Sequence, residues 1–218
     1  DTIEIEPAMV EGAQFFRPEA EAAFKDPRSR IVIDDAKSYF ARGRERYDII
    51  VSEPSNPWVS GVASLFTEEF YARLSGYMNE GGVLSQWLHT YEMDAATLAS
   101  IMRALSKTFP EYALYTSIDS DIIVVARKGA PAGRFDESVL KLPALQALLG
   151  KLKLTDPQTI HRRLVATSGA MGPLFATYGV ASNSDYYPVV DQRSSKARFT
   201  QDRVGEFVDL QGSPLPML

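Results

Sequence analysis

The chain contains no cysteine. That absence removes disulfides, thiolate metal sites and cysteine nucleophiles. Histidine is scarce too: His89 and His161 are the two in 218 residues, too few for a multi-histidine metal centre. There is no excess of positive charge. The 23 Lys and Arg face 28 Asp and Glu, for a formal net charge of -5, so no global field draws the chain to DNA, RNA or anionic lipid. No apolar run approaches the roughly 20 residues that a membrane-spanning helix needs, and no signal peptide is visible. What is left is ordinary for a globular protein: 45% hydrophobic and 23% charged residues. The length suits one large domain, or one domain with a small appendage. A cytoplasmic location is expected. The chain begins at Asp1 and leads directly into a strand-like segment. It therefore reads as a fragment or a trimmed chain, with any membrane segment of the full-length protein lying upstream.

Residues 2–5 (Thr-Ile-Glu-Ile) read as a strand. Pro7 suits the first turn of a helix, where its missing N–H costs nothing, and that helix is expected to reach about residue 16. Residues 30–34 form a second strand, and 35–43 a short helix with Tyr39 and Phe40 inward. Residues 47–53 form a third strand, whose unbroken apolar run from Ile49 to Val51 fits burial on both faces. A loop rich in Pro, Ser, Asn and Gly covers 54–63. The next helix, about 67–78, carries Phe70, Leu74 and Tyr77 on one face, and Gly81 and Gly82 end it. Residues 83–87 make a fourth strand. Asp94 is a good N-cap for a helix in which Leu98, Ile101, Met102 and Leu105 recur at i, i+3, i+4 and i+7. Strands over 112–117 and 121–127, joined by 118–120, are close enough for a hairpin, so the sheet should finish antiparallel.

This alternation of strand and helix is the signature of an α/β, doubly wound, mostly parallel sheet. Residues 129–133 (Gly-Ala-Pro-Ala-Gly) read as a linker. Helices are expected over 136–151, 156–167 and 170–178, then a polar tail from Val180. His161 and the Arg162-Arg163 pair read as a structural histidine and a solvated helix face.

In open α/β sheets, ligands sit beyond the carboxyl ends of the strands. Glu4 and Glu6 end the first strand, Asp34 and Asp35 the second, Glu53 the third and Gln86 the fourth. An acid at such a position accepts hydrogen bonds from both hydroxyls of a ribose. Glu4 is the candidate, because Glu6 is better placed to cap the helix at Pro7. Asp35 either accepts from an adenine amino group or caps the helix beginning at Ala36, and both readings stay open.

Several segments together resemble spermidine/spermine synthases, the polyamine aminopropyltransferases. They are Glu4-Ile-Glu-Pro7, Asp26-Pro-Arg28, Ile33-Asp-Asp-Ala36, residues 47–57 (Tyr-Asp-Ile-Ile-Val-Ser-Glu-Pro-Ser-Asn-Pro) and residues 65–71 (Leu-Phe-Thr-Glu-Glu-Phe-Tyr). Their order and spacing are more specific than any one motif. The phrase Glu-Pro-Ser-Asn-Pro-Trp, the later Gln86-Trp87, and Asn183 to Pro188 are similar to bacterial synthase-like domains fused to transporter-like membrane segments. The resemblance covers residues 1–127 well and 140–199 loosely.

The resemblance implies a Rossmann-like class I methyltransferase fold. Its co-substrate would be decarboxylated S-adenosylmethionine or S-adenosylmethionine, with a small-molecule amine as acceptor and no metal. Glu4 matches the acid that holds the ribose, and Asp35, with Asp34 beside it, the acid at the adenine. Glu53 matches the acid that accepts a proton from the attacking amine or orients it. Asn56 falls where a second Asp usually binds the polyamine, Gln86 near the sulfonium, and residues 54–64 at the gate over the substrates. Trp58 either lines that pocket or anchors the loop. Residues 1–128 are then the nucleotide-binding domain, and 129–218 a linker, helical extension and tail.

The sequence also departs from this pattern. Glu53 stands for the usual Asp, Asn56 removes one negative charge, and Tyr115-Thr-Ser-Ile-Asp119 replaces the Tyr-Pro-Ser-Gly stretch. The first strand and the glycine-rich turn are expected upstream of Asp1. Without them two strands lose a ladder partner, so the chain is expected either to bind nucleotide poorly or to close the gap by rearrangement or by pairing between chains in a homo-oligomer. Three readings follow: an aminopropyltransferase, an S-adenosylmethionine-dependent methyltransferase, and a non-catalytic regulatory domain of a membrane-associated protein.

Overall fold

The computed structural model describes residues 1–43, 45–117, 120–129 and 135–204. The chain forms two compact units, Asp1–Glu45 and Arg46–Leu218.

The first unit runs β1 (Thr2–Glu4), α1 (Pro7–Ala13), α2 (Glu21–Lys25), β2 (Ile31–Ile33) and α3 (Ala36–Arg42). β1 and β2 are parallel, with Thr2 opposite Ile31 and Glu4 opposite Ile33. The Asp1 carboxylate ties the start of this pair together. It accepts from Arg30 Nε and a terminal guanidinium nitrogen at 2.9 and 2.8 Å, and from the Tyr39 hydroxyl at 2.7 Å. Pro7 occupies the first turn of α1 as expected, and Phe40 is buried on α3.

The second unit contains β3 (Tyr47–Ser52), a 3-10 turn (Val62–Phe66), α4 (Glu68–Gly76), β4 (Met78–His89), α5 (Ala95–Ser106), β5 (Tyr112–Thr116) and β6 (Asp121–Arg127). A second 3-10 turn (Glu137–Lys141), α6 (Pro143–Lys151), α7 (Pro157–His161), β7 (Leu164–Thr167), α8 (Ser168–Thr177) and α9 (Val189–Thr200) complete it. The five strands lie in the order β3-β4-β6-β5-β7. β3 and β4 are parallel, and the other neighbours are antiparallel. The α/β class is borne out, with a mixed sheet. The expected hairpin is present as the β5–β6 pair, although residues 118 and 119 of its connection lie outside the described residues, as do 130–134 of the expected linker.

The core sits against β4, β5 and β6. Leu98, Ile101, Met102 and Leu105 of α5 are buried as their spacing predicts, against Leu84, Leu88, Leu114, Ile122 and Val124. On α4 the buried residues are Phe70, Tyr71 and Leu74, while Tyr77 caps the helix.

Four expectations are corrected. Gly81 and Gly82 are not a break before β4 but part of it. A Cβ at Gly82 would stand 2.9 Å from the Asn79 carbonyl oxygen and 3.2 Å from that of Tyr47, so the strand crosses here on a bare backbone. β3 is not covered on both faces: Ile50 is buried, but Ile49 and Val51 are 64% and 69% exposed. Residues 164–167 are not helical. Val165 and Ala166 are buried in β7, which takes the edge of β5, and Arg163 donates to the Ser117 carbonyl rather than lying on a solvated face. The polar tail contains α9, whose buried stripe is Val190, Ser194 and Ala197. Small and polar residues make that stripe, so apolar periodicity does not reveal it.

Among the described residues, no helix is long and apolar enough to cross a membrane.

Candidate active site

In the first unit, the carboxyl edge of β1 and β2 gathers Glu4, Asp34 and Asp35. The Asp34 N–H donates to the Glu4 carbonyl at 3.1 Å, which places the two residues side by side where the strands end. The Glu4 carboxylate accepts from the Glu6 N–H at 2.9 Å, using one oxygen. Glu6 caps α1 through the Ala8 N–H at 3.0 Å. Asp35 caps α3: its Oδ2 accepts from the Ser38 N–H at 2.8 Å. Asp34 accepts from the Asp35 N–H at 2.9 Å and pairs with Arg42. The first unit thus presents four carboxylates in two strand-to-helix turns, Glu4 and Glu6 after β1 and Asp34 and Asp35 after β2.

In the second unit, β3 and β4 run parallel with Ser52 opposite Gln86. Glu53 follows Ser52 directly, and its side chain is exposed at the carboxyl edge. Gln86 is fully buried beside it. Its Nε2 donates to the carbonyls of Ser52 at 3.2 Å and Trp87 at 3.0 Å. Its Oε1 is buried without a hydrogen-bond partner among the described residues. That orphaned acceptor at the end of a parallel strand pair is the feature of this edge that local packing leaves unexplained.

The loop after Glu53 folds back over the end of β4. Asn56 accepts a turn hydrogen bond from the Val59 N–H at 2.9 Å through its carbonyl. The indole of Trp58 meets the imidazole of His89 edge-on, with ring centroids 5.0 Å apart, and lies 6.3 Å from Tyr91. Trp87 and Tyr91 stand 5.7 and 4.7 Å from the same imidazole. Arg198 of α9 reaches over Trp58 at 5.8 Å. Burial pushes the His89 imidazole down to about 4, so the ring is neutral at pH 7, and its Nε2 has no partner among the described residues. Trp58 thus anchors the loop on His89 and Tyr91.

Sequence reasoning missed the strap that holds this loop. Asn183 is fully buried and uses every polar group it has. Its Nδ2 donates to the Ala63 and Phe66 carbonyls at 3.0 and 3.1 Å, and its Oδ1 accepts from the Val190 N–H at 3.1 Å. Its own N–H and carbonyl reach Ser100 and Glu68. The next turn is held by Glu69, which accepts from the Ser184 hydroxyl at 2.7 Å and the Asp185 N–H at 2.9 Å. Tyr186 and Tyr187, just beyond, are exposed. Tyr91 and Arg198 were also not legible: Arg198 comes to Trp58 from α9, and Tyr91, beside Trp58, bridges Arg203 of the tail in antiparallel fashion.

His161 is not part of this edge. It lies 3.5 Å from Glu137 and packs edge-on to Phe135. Among the described residues, no group of three or more His, Asp or Glu is placed to hold a metal ion.

A family profile described as the spermine/spermidine synthase domain matches residues 1–123, more than half of the chain. The chain belongs to the spermine/spermidine synthase family. The family chain is 31% identical over 142 residues to the polyamine aminopropyltransferase of Pseudomonas syringae pv. tomato, covering 65% of this chain and 49% of that protein. It is likewise 31% identical over 160 residues to that of Thermoplasma volcanium, with 65% and 58% covered. The chain thus spans about half the length of these curated relatives. The spermidine synthase structure from Thermotoga maritima superposes with a TM-score of 0.53 at 27% identity, over 64% of this chain and 49% of that one. A spermidine synthase bound to the transition-state analogue AdoDATO gives 0.55 at 25%, over 64% and 50%. Human methyltransferase-like protein 13 in complex with SAH shares the fold, with a TM-score of 0.51 at 20% identity over 69% of each chain.

Proposed function

We propose that this chain transfers an aminopropyl group from decarboxylated S-adenosylmethionine to a small amine. The reading is supported by one observation: at the carboxyl edge of a parallel strand pair in a member of this family, Glu53 directly follows the residue opposite Gln86, whose Oε1 is orphaned. A spermidine synthase of similar structure holds the transition-state analogue AdoDATO.

In this scheme Glu4 accepts hydrogen bonds from the ribose hydroxyls with the oxygen that Glu6 leaves open. Asp35 keeps one carboxylate oxygen for the adenine amino group while the other caps α3, and Asp34 shapes the turn between them. Gln86 Oε1 faces the positive sulfonium end, where a buried acceptor gains a partner. Trp58 and Asn56 line the acceptor side of the loop.

The chemistry is a displacement. The acceptor nitrogen must be neutral, so that its lone pair can attack the methylene next to the sulfonium. The new C–N bond forms as the C–S bond breaks, and the electron pair stays on sulfur as a neutral thioether. The nitrogen then sheds a proton, and the Glu53 carboxylate accepts it and orients the amine beforehand. No step requires a metal. Residues 1–128 carry this chemistry, with 129–218 as an extension that supports the loop, and we place the reaction in the cytoplasm.

Titrating the full-length protein with decarboxylated and with ordinary S-adenosylmethionine by calorimetry tests the donor. Preference for the decarboxylated nucleotide supports the proposal. Preference for the ordinary one favours methyl transfer, and binding of neither leaves the non-catalytic reading.

A further inference from the structure

A second site lies away from this edge, in the second unit. A cavity of ≈ 230 Å³ opens between the end of α5, the start of β5 and α8. Tyr112 at its floor is opposite Ala126, which is itself opposite Leu84 on β4, so the cavity lies toward the end of the sheet away from His89.

We propose that this cavity binds a small organic monoanion: a carboxylate on a short apolar body. Its two sides differ in chemistry. Met102, Tyr112 and Phe175 line the apolar side, and all three are buried. Arg103 and Lys107, one turn apart on α5, line the other. Lys107 is already paired with Glu68, whose carboxylate also accepts from the Ser182 hydroxyl at 2.8 Å. That pairing holds the Glu68 carboxyl below the usual carboxylate range, so the pair is neutral as a whole. Arg103 is different. It has no ion pair among the described residues, and its Nε is buried without a hydrogen-bond partner. One uncompensated positive charge therefore faces the cavity, which suits one negative charge better than two.

Ser106 cannot serve as a further donor, because its hydroxyl already donates to the Arg103 carbonyl at 3.1 Å. The guanidinium is left to fix the anion, and charge-assisted bonds of that kind are the strong ones. The volume lies below the roughly 300–1,000 Å³ of pockets for drug-sized ligands, which limits the apolar body to about one ring. Gly172 keeps the space open: a Cβ built there meets nothing within 4 Å.

Benzoate is the probe, titrated into the full-length protein by calorimetry and ligand-observed NMR. Benzyl alcohol keeps the ring without the charge, and inorganic phosphate keeps the charge without the ring. Arg103→Gln removes the cation. Gly172→Leu fills the space, and since that position is open, the variant should fold, which its thermal melt checks. The proposal expects saturable 1:1 benzoate binding, weakened about tenfold or more by either substitution, as loss of a charged hydrogen bond implies. Benzyl alcohol and phosphate should bind at least about tenfold more weakly. Absence of saturable benzoate binding would overturn it. So would benzoate binding unchanged in both variants, or equal binding of either control. The site is independent of the transfer reaction, so its failure leaves that proposal standing.

Discussion

Gln86 Nε2 donates to the carbonyl of Ser52 at 3.2 Å, across the parallel pair that delivers Glu53. The same amide group also serves the Trp87 carbonyl. Gln86→Glu keeps the shape and removes both donors. It brings a carboxylate into a buried position against two carbonyl oxygens, so it should cost about 3 kcal/mol or more. Gln86→Met removes the donors without adding charge and should cost about 1–2 kcal/mol. Urea unfolding of the two variants gives the order. Equal losses would mean that the amide is not the group securing β3.

His89 predicts a specific dependence of stability on pH. Its folded value is depressed to about 4 by burial, against about 6.5 for an unfolded histidine. Between those values the unfolded chain binds the extra proton, so this contribution is intact above pH 6.5 and is lost as pH falls toward 4. The span corresponds to roughly 3 kcal/mol as an upper bound. In His89→Phe, stability between pH 6.5 and 4 should fall less steeply than in the parent, as followed by urea midpoints. Parallel curves would show that His89 does not titrate as a buried neutral ring.

Asn183→Ala strands the Ala63 and Phe66 carbonyls and the Val190 N–H in a buried place. We expect a loss of about 2–4 kcal/mol, with faster amide exchange over 54–66 than in the strands β5 and β6. Uniform acceleration across the second unit would contradict a local strap.

At Gly82, alanine has no room beside the Asn79 and Tyr47 carbonyls. Gly82→Ala should destabilise by about 1–3 kcal/mol, read from its thermal midpoint. Gly76→Ala, where a Cβ meets nothing within 4 Å, is the matched control and should leave stability unchanged or raise it.

Much of this architecture was readable from spacing. The α5 face Leu98, Ile101, Met102 and Leu105 follows directly from helical periodicity, and the caps Glu6 and Asp94 follow from local turn chemistry, while Asp35 was readable as a cap only as one of two options. Elements held by distant partners were not readable. β7 is a strand because β5 offers an edge, and α9 buries Ser194 and Ala197 against surroundings that its own sequence does not announce. The strand-end acids could be named in advance because each sheet gathers its parallel strand ends: Glu4, Asp34 and Asp35 at β1 and β2 in the first unit, Glu53 at β3 in the second. The orphaned atoms of Gln86 and His89 could not, since a missing partner is visible only after folding.

Glu53, in this account, serves a displacement at the carbon next to the sulfonium. The direct measurement is release of the thioether nucleoside from decarboxylated S-adenosylmethionine, with an amine present, by the full-length parent and by Glu53→Gln. The account predicts amine-dependent release that falls by about 10²–10⁴-fold in the variant, while nucleotide binding is kept. Amine-dependent release at the parental rate in Glu53→Gln would contradict it.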